Sequence, residues 1–200
     1  RPPRDDPAAT NSIVSAARDL RAEMRHKYPN IRLELTGSQM IGQSFNEASE
    51  ADLSTLFPLM FALIIGFLIL ATGTISGTIA TAIVITLSAA TAMGFGFWQN
   101  IPLSAPAASA PVIILTVAVA DCVHILITAI VERGQGIDKK EAIIKSLSVN
   151  AQPVFLTSVT TAIGLFSLNF SDAPPYRDLG SFAGFGAISA WILSMSLFPA

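Results

Sequence analysis

The stretch VAVADCVHILI, Val117–Ile127, places an acid, Asp121, and a histidine, His124, inside a long apolar run. A carboxylate at bilayer depth costs roughly 2.5–3.5 kcal/mol on insertion scales, so such a group normally faces a bundle interior or a water-filled cavity. Asp121, His124 at i+3 and Thr128 at i+7 are read as sharing one helix face. A later apolar run carries a matching stripe of Thr157, Thr160, Thr161, Gly164 and Ser167. Two stripes on consecutive helices predict a polar seam inside a bundle. The chemistry available there is uptake and release of a proton or cation at Asp121, with His124 titrating beside it or orienting it. The plainer reading makes Asp121 a protonated, hydrogen-bonded structural residue and the hydroxyl stripe a helix–helix contact. No metal-ligand cluster, nucleophile–base pair or phosphate loop accompanies these residues, so neither an enzyme nor a cofactor is expected.

The elements that hold them are apolar and long. Hydrophobic residues make up 52% of the 200 residues and charged residues 13%, about half the charged share of an ordinary soluble domain. From Leu53 through Ala120 there is no Asp, Glu, Lys, Arg or His. A spanning helix takes about 20 apolar residues, and five such runs are predicted, over about 53–71, 78–98, 107–131, 154–170 and 179–198. The fold class expected is an all-α transmembrane bundle with a small α/β piece before it, over 1–52. In that piece Ile13, Ala17, Leu20, Met24 and Tyr28 recur at helical spacing. IRLELTG then alternates as a half-buried strand.

Between the third and fourth runs, about 138–149 reads as an amphipathic surface helix. Asp138 and Glu141 form its capping box, and Glu141 and Lys145 an i,i+4 pair. That loop carries Arg133, Lys139, Lys140 and Lys145, which places it in the cytoplasm. Residues 1–52 then lie on the opposite side. Gly94, Gly96, Gly180 and Gly184 are read as close helix contacts, and the prolines of SDAPPYRD as the start of the last helix. The net charge of -2 offers nothing to nucleic acid, and the single cysteine, Cys122, excludes an intrachain disulfide. Both ends read as cut, so a larger polypeptide is expected.

Three stretches carry a family resemblance: VADCVHIL with the charged loop and EAIIKSL, then PVFLTSVTTAIGLFSLNFSDAPPYRDLG, then the terminal LFPA. Across roughly Asp52–Ala200 the chain resembles an exporter of the resistance–nodulation–division (RND) superfamily. The branch is that of the mycobacterial large membrane proteins, hopanoid exporters and the sterol-sensing domain of Patched-like proteins. The resemblance implies that these are spans two to six of one half of a twelve-span transporter, and that 1–52 ends a periplasmic porter domain. It implies a bacterial inner-membrane location, a proton gradient in place of any cofactor, and a hydrophobic or lipid-like substrate. Asp121 matches the family's proton-relay acid, with His124, Thr160 and Thr161 as its wiring and Thr128 and Thr157 as support. Many relatives have Asp-Tyr where this chain has Asp121-Cys122. Expected partners are membrane lipid, the other half of the transporter, a periplasmic protein and a second copy. The rival functions are a lipid sensor that binds without pumping and a structural membrane subunit.

Overall fold

The computed structural model describes residues 7–197, so the opening RPPRDD and the last residues of the fifth predicted run and of LFPA lie outside the described residues. The chain divides into two compact units, Arg1–Ser54 and Thr55–Ala200. Six α-helices follow one another: α1 (Pro7–Lys27), α2 (Ser38–Thr72), α3 (Ile75–Trp98), α4 (Ala110–Gly134), α5 (Lys139–Phe166) and α6 (Pro174–Ser196). Short 3-10 turns lead into α4 at Ala107–Ser109 and end α5 at Ser167–Phe170.

In the first unit α1 ends with Arg25, His26 and Lys27 against its negative C-terminal dipole, just before Pro29. Arg18 holds the Glu47 carboxylate of α2 by two bonds of 2.7 and 2.9 Å. Gln43 donates to the same carboxylate at 3.2 Å. The hydrogen bonds to Glu47 hold the Arg18 guanidinium above its ordinary pKa. The pair is exposed, so it fixes orientation more than it stabilises. The expected strand is not formed. Among the described residues there is no β-ladder, and IRLELTG is an extended segment with Ile31 54% exposed. Its alternation is real: Arg32 and Glu34, two apart on one side, pair at 2.8 Å. An alternating segment becomes a strand only when another strand takes up its edge, and no such partner is present among the described residues.

Among the described residues five helical stretches are long and apolar enough to cross a membrane: Ser38–Leu70, Ile75–Trp98, Ala107–Gly134, Lys139–Phe170 and Pro174–Ser196. Within the second unit α4 and α6 pack on each other, α3 and α5 each pack on both, and α3 and α5 do not meet. Lipid offers no hydrophobic drive for helix pairing, so small residues that let helices close up do this instead. The buried face of α6 is Gly180, Ala183, Gly184, Gly186, Ala187, Ser189, Ala190 and Ser194, interrupted by Phe182. Phe182 fills the space left by the missing side chain of Gly96, and any Cβ there would collide with its ring. At Gly180 a Cβ would come within 2.7 Å of the Leu165 carbonyl. The small-residue expectation therefore holds for Gly96, Gly180 and Gly184, but Gly94 faces open space. Phe57, Phe61 and Ile64 of α2 lie against a cluster of Val84, Ile85, Leu115, Ala118, Cys122 and Ala190.

Two sequence expectations change at α5. The amphipathic segment 138–149 is not a separate helix; it is the first part of a continuous α5 that runs through Pro153. Its small residues face α4, with Ala142 and Ser146 fully buried, while Ile144 of its apolar edge is 58% exposed. Asp138 does cap the helix, accepting from the Lys140 amide at 3.1 Å. Lys145, however, pairs with Glu132 of α4 at 2.7 Å instead of Glu141. Glu132 is largely shielded and offers a less screened partner. The prolines of SDAPPYRD open α6 as expected.

Candidate functional site

The seam between α4 and α5 forms, and its composition on α5 differs from the expected stripe. On α4 the buried residues are Ala110, Ile114, Leu115, Ala118, Asp121, Cys122, Ile125, Leu126 and Ala129, a three–four spacing that keeps one face inward. On α5 they are Ala142, Ser146, Asn150, Val154, Ser158 and Ala162, one at every fourth position. Such a row is a straight ridge along the helix.

Polar bonds cross the seam at Ser146, Asn150 and Ser158, with Val154 between the last two. Ser158 donates to the Asp121 carboxylate, 3.0 Å from Oδ2 and 3.2 Å from Oδ1. Asn150 Nδ2 donates to Thr128 Oγ1 at 2.9 Å and to the Ser146 carbonyl at 2.8 Å. Ser146 Oγ donates to the Ile125 carbonyl at 2.6 Å. The Lys145–Glu132 pair closes the end nearest the α4–α5 turn.

Asp121 is 3% exposed. No cation pairs with it among the described residues. A buried carboxylate with one hydroxyl and no counter-charge is expensive to keep ionised. The Ser158 hydroxyl beside it can donate to a carboxylate or accept from a protonated carboxyl. No cluster of His, Cys, Asp and Glu able to hold a metal occurs among the described residues.

The other expected relay residues stand elsewhere. An α-helix turns about 100° per residue, so i+3 lies about 60° from Asp121 and i+7 only about 20°. Thr128 accordingly reaches the seam, where it takes the Asn150 bond, while His124 points outward and is exposed. On α5, Thr157 and Thr160 are exposed, and their hydroxyls bond carbonyls of their own helix. Thr161 is half-buried beside the row. Neither Thr160 nor Thr161 bonds Asp121; Ser158 does. Ser158 and Asn150 were missed because the threonines are more conspicuous. The signal that finds them is the fourth-residue row of small and polar side chains from Ala142 to Ala162.

A multi-pass helical membrane protein with a buried acid in an interhelical seam is the class these features define. The family model described as "MMPL family" matches residues 4–200. The chain belongs to the MMPL family, within the RND superfamily of membrane transport proteins. No curated protein matches the chain.

Proposed function

We propose that the protein is part of a proton-driven exporter of hydrophobic or lipid-like molecules in a bacterial inner membrane, with Asp121 as the acid that loads and releases the proton. The observation that carries this reading is the isolation of Asp121: buried in the α4–α5 seam and held by Ser158 alone among the described residues. Membership of a transport family supports it. Proton exchange at Asp121 would change what the α4 face asks of α5, and so couple the gradient to helix movement. Ser158 is the direct partner in this scheme. Asn150 and Thr128 hold the helices in register. His124, Thr157, Thr160 and Thr161, on neighbouring faces, would act toward the other half of the transporter. Residues 1–52 would close a periplasmic porter domain, and the Lys-rich α4–α5 turn would face the cytoplasm.

The test is Asp121→Asn in the full-length protein, in cells lacking the native copy. Asn keeps the shape and a hydrogen bond to Ser158 but cannot carry a proton on and off. Expression and thermal stability should stay near the parent's, while export stops and substrate accumulates in the cell or inner membrane. Undiminished export would remove proton coupling at Asp121 and favour a lipid sensor.

A further inference from the structure

A cavity of about 250 Å³ opens where α3 and α5 fail to meet, beside the end of α4. Its lining changes character from one end to the other. Ala80, Ile125, Leu126, Ala129, Ile130 and Ile143 make the wall that runs into the spanning region. Arg133, Lys139, Thr74, Ser76 and Gly77 make the mouth.

No acid lines the cavity beside the two cations at its mouth. Neither Arg133 nor Lys139 forms an ion pair among the described residues. Of the acids nearby, Glu132 holds Lys145 and Asp138 caps α5, while Glu141, in the first turn of α5, lies outside the cavity lining. Thr74, the residue before α3, makes no capping hydrogen bond with its side chain. Its hydroxyl donates instead to Thr72 at 3.2 Å. The first-turn amides of α3, at Ser76 and Gly77, are therefore left without that cap, at the positive end of a helix dipole.

We infer that this cavity is a binding site for an anionic phospholipid, its phosphate between Arg133, Lys139 and the start of α3 and its first methylenes along Leu126, Ile130 and Ile143. Charge complementarity selects an anion, and the apolar wall selects an amphiphile over a free ion. The volume is below that of a pocket for a whole drug-sized ligand, so it takes the headgroup and upper chain and leaves the rest of the acyl chains in the bilayer. A basic recess between spanning helices is a setting in which lipid headgroups are recognised. This inference does not require Asp121 to carry protons.

The experiment uses the full-length protein in detergent, titrated with dioctanoyl phosphatidylglycerol, dioctanoyl phosphatidylcholine or inorganic phosphate, and read by thermal shift and by retained complex in native mass spectrometry. Phosphatidylglycerol should bind saturably and at least tenfold more tightly than phosphatidylcholine, with no saturable binding of inorganic phosphate. Arg133→Gln with Lys139→Gln should weaken phosphatidylglycerol about twentyfold, while Lys140→Gln, outside the cavity, should change it less than twofold. If the double variant fails to fold, Lys139→Gln alone, on the exposed first turn of α5, should weaken binding at least threefold, and Arg133→Lys should retain it. Equal binding of both lipids, an unchanged affinity in the charge-removing variants, or saturable binding of phosphate as tight as that of the lipid would each overturn the assignment.

Discussion

At Asp121 the protein commits a carboxyl to an interior that supplies one hydroxyl and, among the described residues, no cation. That choice makes Ser158 the residue on which the behaviour of the site depends most directly. Ser158→Ala leaves the carboxyl without its hydrogen bond. The expected result is a loss of stability of about 1–3 kcal/mol, the usual cost of stranding a buried polar group. Export should fall several-fold, since the ionised state loses its partner. Ser158→Thr keeps the hydroxyl and should recover most of both. Thermal unfolding and substrate accumulation in the same strains check the pair of variants. A fall in stability with full export would make the bond structural only.

Helix α5 is an element whose two halves do different work on one ridge. Its first half ties to α4 through Ser146 and Asn150, and its second half meets the acid through Ser158. Asn150→Ala removes the bond to Thr128, and interhelical bonds of this kind in lipid are worth about 0.6–1.7 kcal/mol. The expected change is a loss of stability within that range, measured by denaturant unfolding in detergent, with export retained. The spanning elements were legible in the sequence because length and the absence of charge from Leu53 to Ala120 leave few other readings. The seam itself was legible from Asp121. Its partner was not, because several hydroxyls on α5 compete and only helix rotation decides among them. The 138–149 segment misled for a related reason: its lysines suit a surface helix, while Ala142 and Ser146 are the residues small enough to let α4 approach. The strand misled because alternation specifies a face and not a partner.

For the whole molecule, the sidedness of the bundle can be checked at Lys140, exposed in the first turn of α5. Lys140→Cys in an otherwise cysteine-free protein should react with a membrane-impermeant maleimide only after the cytoplasmic face is opened. Reaction in intact cells would reverse the orientation and put residues 1–52 in the cytoplasm. The unit Thr55–Ala200 also has a mechanical property that follows from which helices touch. With α4 and α6 joined and α3 and α5 apart, the four helices form a rhombus braced along its short diagonal. Because α3 and α5 share no contact, a shift of one does not force a shift of the other. The α4–α6 pair is then a spine, and α3 and α5 are two leaves packed on it, with Asp121 set at the root of one leaf. A disulfide across the spine, from Ile114→Cys with Gly186→Cys, should leave export intact. One that pins the leaf, from Thr128→Cys with Asn150→Cys, should stop export until it is reduced. If both cross-links are silent, the bundle works as one rigid block and the movement lies in parts of the transporter beyond it.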